Sequence, residues 1–286
     1  MNLIEKREGV MERKLRNKGI LAQQFISDSD QFFYWEGGTG PVMVFLHGFG
    51  GNALLTWEKE LIHFSKQYRV IAPDLLWFGQ SNSTREPNLR SQCDALNALL
   101  KHLDVQNALI VGQSYGGFLA LGLAKYHPNL VEKIILANCP GTTFNSEKLD
   151  LVCEHYGVNA IEDLFICKNP HAVKRLFLLV TETQPDFPNF IWKQLYNQYF
   201  SRQHEAQYQL MHTLSQEQKN FEDLSFLDGL SIQMIWSEND RLFPFDEGQY
   251  FADCVNAPML VIPKVGHAPQ FDNRKAFTAA VMKTVG

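Results

Sequence analysis

Gly112-Gln113-Ser114-Tyr115-Gly116 places a serine between two glycines, each two residues away, at the end of an apolar run with Ile110 and Val111. A serine that attacks a carbonyl carbon must stand clear of its own backbone. A sharp turn from strand to helix achieves this, but it crowds the residues two before and two after the serine. Glycine at 112 and 116 removes the Cβ atoms that would clash there. The same turn aims the Tyr115 amide, at the start of the following helix, toward the space where an oxyanion would form above Ser114.

Such a serine needs a base, and the base needs an acid to orient it. In this strand–turn–helix setting their chain order is serine, acid, histidine. The apolar run Ile232–Trp236 reads as a strand, and Glu238, Asp240 and Asp246 follow it. Asp240 is the favoured acid because a loop a few residues past a strand end can turn a carboxylate toward a histidine. Glu238 is the nearby rival and Asp246 a more distant one. Of nine histidines, only His267 lies beyond this segment, in Val265-Gly266-His267-Ala268-Pro269 after the apolar Met259–Ile262. A carboxylate accepting the Nδ1 proton would fix the tautomer and leave Nε2 free to take the serine proton.

A second glycine-rich stretch, His47-Gly48-Phe49-Gly50-Gly51, follows the apolar run Val42–Leu46. With four elements in this order, residues 20–286 resemble serine hydrolases of the α/β-hydrolase fold family. The likeness is to the HGFGG type seen in carboxylesterases and monoacylglycerol-lipase-like enzymes. The resemblance implies that the backbone amides of Phe49 and Tyr115 form the oxyanion hole, that the Phe49 ring faces substrate, and that His47 braces its loop. Relatives often carry D-L-P-G-x-G-x-S after the next strand. Here the segment is Asp74-Leu75-Leu76-Trp77-Phe78-Gly79-Gln80-Ser81, so Leu76 and Trp77 replace proline and glycine. It reads as a structural loop beside the cleft. Trp77 is large enough to narrow or line the pocket, although packing is the commoner use of such a ring.

The elements that must position these groups alternate. Strand-like runs fall at 42–46, 69–73, 108–112, 133–138, 232–236 and 259–262, and helical patterns near 53–66, 89–103, 115–127 and 273–284. This predicts an α/β fold with a mostly parallel central sheet and helices on both faces. Catalytic groups then sit at the carboxyl ends of strands. The alternation stops over 141–229, which has no good buried strand but carries helical periodicity and many aromatic residues. These include Phe144, Phe165, Phe177, Phe187, Phe190, Trp192, Tyr199, Phe200 and Phe226. The segment reads as an inserted helical cap (lid), with 20–140 and 230–286 forming the core domain. Most of these rings should pack the cap, while some, Phe190 and Trp192 among them, should face the cleft and exclude water. Residues 1–19 form an N-terminal extension, weakly amphipathic over 1–18. That pattern fits a surface helix or loose terminus better than a membrane-contacting one.

Composition restricts the partners. The chain has 286 residues, 45% hydrophobic, with a net charge of −5 and no long basic run, which disfavours nucleic acid. No apolar stretch is long enough to span a bilayer, and the first 18 residues lack the apolar centre of a secretory signal. Five scattered cysteines without a C-x-x-C pair favour reduced thiols and a cytoplasmic location over disulfides or a metal site. The expected partner is a small ester, with no metal or organic cofactor. Short to medium acyl groups, or a monoacylglycerol-like substrate, fit a capped apolar pocket. A serine nucleophile disfavours the epoxide hydrolases and haloalkane dehalogenases of the same fold, which use aspartate. Carbon–carbon hydrolases of aromatic ring cleavage remain the alternative enzyme class, although they often carry tryptophan after the histidine, where Ala268 stands here. A slow-turnover ligand receptor is the alternative outside catalysis.

Overall fold

A computed structural model describes residues 2–141 and 146–285. Phe144, one of the expected cap aromatics, lies outside the described residues. The strands are β1 (Leu21–Ile26), β2 (Asp30–Gly37), β3 (Val42–Leu46), β4 (Arg69–Pro73), β5 (Asn82–Ser83), β6 (Ala108–Gln113), β7 (Val131–Ala137), β8 (Ser231–Ser237) and β9 (Met259–Ile262). They form one sheet in the order β1-β2-β4-β3-β6-β7-β8-β9, with β5 paired to β2. Strands β4, β3, β6, β7, β8 and β9 are mutually parallel, whereas β1 and β2 add an antiparallel hairpin at the β4 edge.

Alternating side chains feed two separate cores. Val44, Leu46, Ile110, Ile134 and Leu136 point to one face, and Met43, Phe45, Val111, Ile135 and Ala137 to the other. Strands buried on both faces read as continuous apolar runs, which makes the interior parallel strands legible in the sequence, and the edge strand β9 is an apolar run as well although its Val261 is exposed. The hairpin β1–β2 is not among the expected strands. Gln23 and Gln24 are exposed on β1, which lies at the sheet edge, so no apolar run marks it.

Helices α1 (Leu3–Arg16), α2 (Ala53–Phe64), α3 (Leu89–His102) and α4 (Tyr115–Tyr126) flank the first half of the sheet. Between β7 and β8 the described residues hold helices and turns: α5 (Ser146–Tyr156), α6 (Glu162–Phe165), α7 (Pro170–Val180), α8 (Asn189–Leu195), a π-helical turn Tyr196–Phe200, and α9 (His204–Glu217). The chain closes with α10 (Phe245–Cys254), α11 (Pro269–Asp272) and α12 (Arg274–Val285).

The N-terminal segment is part of this assembly. Asn2 caps α1 by accepting from the Ile4 and Glu5 amides. Ile4, Met11 and Leu15 are buried, and α1 packs on α2 and α8. Lys14 Nζ lies 3.2 Å from Glu58 on α2, and the Leu3 amide donates to Gln194 on α8 at 2.8 Å. Sequence pattern understates this docking because only three of the fourteen helical side chains are buried.

Candidate active site

The turn from β6 into α4 carries Ser114 at φ 53°, ψ −122°, a conformation that costs a non-glycine residue roughly 1–3 kcal/mol. Neighbouring backbone fixes it there. A Cβ on Gly112 would meet the Gly116 carbonyl oxygen at 2.4 Å, and one on Gly116 would meet the Leu46 oxygen at 2.2 Å. The Ser114 amide donates to Ala137 at 2.9 Å, pinning the turn to β7. Tyr115 is the first residue of α4, so its N–H has no acceptor within the helix.

His267 reaches Ser114 from the loop between β9 and α11. Its Nε2 lies 2.9 Å from Ser114 Oγ and its Nδ1 lies 2.8 Å from Asp240 Oδ2. The loop is held on several sides. Ala268 N–H donates to Val180 at 2.8 Å, Gly266 N–H donates to Asp272 at 2.9 Å, and Gln113 Nε2 donates to the His267 carbonyl at 3.2 Å. The Phe243 ring packs edge-on against the imidazole, with centroids 5.1 Å apart.

Asp240 is buried in the turn after β8, and both of its oxygens are occupied. Oδ1 accepts from the Leu242 and Phe243 amides at 2.8 and 2.9 Å. Oδ2 accepts from His267 and from Asn138 Nδ2, the latter at 2.7 Å. The other two acids lie elsewhere. Glu238 is exposed and accepts from the Lys264 amide at 2.9 Å, and Asp246 is exposed in the first turn of α10. Asn138 was not anticipated from the sequence. It follows β7 at φ 46°, and an asparagine just past a strand end is the one local signal, since it tolerates the left-handed region.

The loop after β3 approaches the serine closely. A Cβ on Gly48 would stand 2.5 Å from Gln113 Oε1 and 3.0 Å from Ser114 Cβ. Behind it, His47 is completely buried. Its Nε2 accepts the Leu75 N–H at 3.0 Å, so Nδ1 carries the proton and donates to the Gly48 carbonyl at 2.8 Å. Burial pulls the His47 pKa down to about 4, which keeps the ring neutral and this tautomer fixed. The next loop is anchored by Asp74, which accepts from Ala53 and Gln80 amides, each at 2.9 Å, at the N-terminus of α2. Burial raises its pKa to about 6 against those two hydrogen bonds.

An apolar cavity opens on both sides of Ser114, divided by the rings of Phe49 and Phe165, which meet edge to face with centroids 6.0 Å apart. The outer lobe runs between Gly50, Leu176, Phe177, Tyr199, Phe200 and Phe271. The inner lobe runs between Tyr115, Leu149, Ile161, Met211, Leu214 and Phe243. Among the described residues lining either lobe, none is lysine or arginine. Phe49 and Tyr115 line the cavity, but Trp77, Phe190 and Trp192 do not reach it. Trp77 is buried at φ 66° with its indole N–H on the Ser83 carbonyl at 3.2 Å. Phe190 is half exposed on the outer surface of α8. Trp192 packs behind Phe177, 5.5 Å between centroids, and supports the wall without forming it. The cap residues that do line the lobes sit mainly on α7, the π-helical turn and α9, and their selection depends on how these elements dock.

A serine presented on a strained strand–helix turn, paired to histidine and aspartate above a parallel sheet, defines the architecture of a serine hydrolase. The chain belongs to the alpha/beta hydrolase fold family, whose model matches residues 41–274. It is 36% identical over 107 residues to an uncharacterized protein of Mycobacterium tuberculosis (strain ATCC 25618 / H37Rv). That match takes in 37% of this chain and 31% of the relative, so the chain spans about a third of the first such relatives' length. A longer match, 27% identical over 264 residues and 88% of this chain and 89% of the relative, is to 2-hydroxy-6-oxononadienedioate/2-hydroxy-6-oxononatrienedioate hydrolase of Paraburkholderia xenovorans (strain LB400). Among solved structures, a thermophilic esterase from Thermogutta terrifontis superposes with a TM-score of 0.75 at 19% identity, over 93% of this chain and 98% of that one. At that identity the likeness is one of fold. The chain thus has the fold of this hydrolase family. Among the described residues no helix is long and apolar enough to cross a membrane.

Proposed function

We propose that this protein hydrolyses carboxylic esters through an acyl-enzyme. Ser114 Oγ attacks the ester carbonyl while His267 Nε2 takes its proton. Asp240 holds the other ring nitrogen and stabilises the imidazolium. The amides of Phe49 and Tyr115 receive the oxyanion, each donor contributing ~3–4 kcal/mol to lowering the barrier. His267 then protonates the leaving alcohol, and a water activated by the same nitrogen releases the acid. No step calls for a metal or organic cofactor. The five thiols, unpaired among the described residues, fit a reducing compartment, and we place the protein in the cytoplasm.

The observation that carries the ester reading is the relay at 2.9 and 2.8 Å facing a cavity whose described lining has no cation. The carbon–carbon alternative is favoured by the length of the match to the dienedioate hydrolase. The substrate in that name is a dicarboxylate, and an apolar lining would leave its carboxylates without a partner at several kcal/mol each. Two measurements decide the matter. A fluorophosphonate should label Ser114 and lose its target in Ser114→Ala. p-Nitrophenyl butyrate should be turned over at a kcat/KM far above that of a 2-hydroxy-6-oxodienoate. The reverse ranking of the two substrates would remove the ester reading.

A further inference from the structure

The end of the cap helix α7 and the chain leaving it run between the two loops that carry the acid and the base. On the histidine side, Ala268 N–H donates to the Val180 carbonyl at 2.8 Å. Asp272, at the end of α11, gathers backbone amides from both partners. Its Oδ2 accepts from Gly266 and Glu182 at 2.9 and 2.8 Å, and its Oδ1 accepts from Thr183 at 3.0 Å. Gly266 leaves room for this approach, since a Cβ there would stand 2.9 Å from the Glu182 nitrogen and 3.0 Å from the Thr181 carbonyl carbon. On the acid side, Arg241 Nη1 donates to the Leu178 and Thr181 carbonyls at 3.0 and 3.4 Å, and its Nη2 donates to Glu182 at 2.8 Å. Gly266 and Ala268 flank His267 in the chain, and Arg241 follows Asp240. Segment 178–183 therefore holds the immediate neighbours of both groups. Asp272 lines neither lobe of the cavity, so its carboxylate acts on this junction and not on the reacting atoms.

We propose that Asp272 is a positioning residue for His267. It clamps cap segment 178–183 to the Gly266 amide, and the clamped loop keeps the imidazole 2.9 Å from Ser114 Oγ. Arg241 closes the same clamp from the acid side. The cap is then part of the scaffold of the base as well as a cover for the cavity. Amides that lose their acceptor free the loop to drift, and a displacement of about 1 Å at a reacting group costs up to ~10²-fold in rate. The inference rests on the Ser114–His267–Asp240 relay of the proposed mechanism and is independent of which bond the substrate breaks.

The experiment follows labelling of Ser114 by a fluorophosphonate, which needs no natural substrate, and separates its rate constant from the fraction of protein finally labelled. Asp272→Ala should lower the rate constant by about tenfold to a hundredfold while labelling still runs to completion. A merely structural role would do the opposite, lowering the labelled fraction and leaving the rate constant of the folded protein alone. Asp272→Asn keeps one oxygen for the Gly266 and Glu182 amides and abandons only that of the exposed Thr183, so it should stay within about threefold of the parent. Arg241→Gln removes a partly exposed side chain and tests the same clamp should Asp272→Ala fold poorly; its rate constant should fall by about threefold or more. Unchanged rate constants in Asp272→Ala and Arg241→Gln overturn the proposal, as does a loss in Asp272→Asn equal to that in Asp272→Ala. A parent labelled at Ser114 that leaves p-nitrophenyl butyrate intact would refute the ester reading and leave this test standing. A parent not labelled at Ser114 would remove the relay and this role with it.

Discussion

Asp240→Asn puts one amide where a carboxylate now accepts four hydrogen bonds. The Leu242 and Phe243 N–H groups belong to the backbone and cannot turn away from Oδ1. The asparagine oxygen must therefore stay with them, and its NH2 then faces Asn138 Nδ2 and His267 Nδ1. Asn138 can flip its amide to offer an oxygen, since its Oδ1 has no other hydrogen-bond partner to give up. His267 can answer only by moving its proton to Nε2, the nitrogen that must accept from Ser114. The predicted loss in kcat is the ~10⁴-fold known for this change in a serine-protease triad, about 5 kcal/mol of barrier. KM should move much less, because Asp240 is not itself part of the cavity lining. Folding stability should fall by only about 1–3 kcal/mol, the cost of unmatched buried donors. Asn138→Asp added to Asp240→Asn restores an acceptor for the new NH2. That pair should recover stability without recovering turnover, which separates the two effects. Hydrolysis of a soluble chromogenic ester gives kcat and KM, and urea unfolding gives stability. The reasoning is wrong if a folded Asp240→Asn protein keeps kcat within tenfold of the parent, or if Glu238→Gln causes the larger loss.

Two further outcomes follow from buried groups away from the reaction. His47 protonates near 6.5 when unfolded but only near pH 4 when folded, so its contribution to stability is complete above 6.5 and is lost as pH falls toward 4, by about 3 kcal/mol. Asp74 acts in the opposite sense: its folded pKa of about 6 exceeds the unfolded 3.8, so its protonation adds stability over nearly the same interval. The whole-protein pH curve therefore hides both, and the test is the difference between parent and His47→Gln in urea at pH 7 and pH 4.5. That difference should shrink on acidification, and a pH-independent difference would refute the assignment. Trp77→Gly sets two effects against each other. Relief of φ 66° gains roughly 1–2 kcal/mol, while losing a buried indole costs about 3–5, so a net destabilisation of about 2 kcal/mol is expected in urea unfolding. Turnover of a short ester should stay within about threefold, because the indole lies outside the cavity.

What the sequence reveals and what it hides divide along a physical line. Gly112 and Gly116 are demanded by contacts within a single turn and by the adjacent strand, so the turn is visible in five residues. The interior parallel strands are buried on both faces and show as apolar runs, and the edge strand β9 shows as one although Val261 is exposed. His267 follows from chain order. Asn138 does not, because its partner is 102 residues away and no local pattern encodes that meeting. Choosing among cap aromatics fails for a related reason. Phe177 and Trp192 are equally apolar, and only the docking of α7 over α8 puts one ring in the wall and the other behind it. Trp77 is the instructive case, since a large ring beside the cleft in sequence became a buried prop at a position with positive φ.

The docking of α1 also shapes how the chain matures. Its amide at Leu3 meets Gln194, and Glu8 accepts from Gln198 and Tyr199, partners about 190 residues further along. The helix precedes the cap in the chain, yet part of its binding surface, on α8, exists only once the cap has been synthesised. Ile4, which shares a core with cap residues, must wait, whereas Met11 packs with α2 in the other core. At about 5–20 residues per second the delay is roughly ten to forty seconds. The final placement of the Tyr199 ring in the outer lobe is thus a late event in folding. A chain stalled before residue 194 would hold Ser114 on its turn yet lack His267 and the finished outer wall.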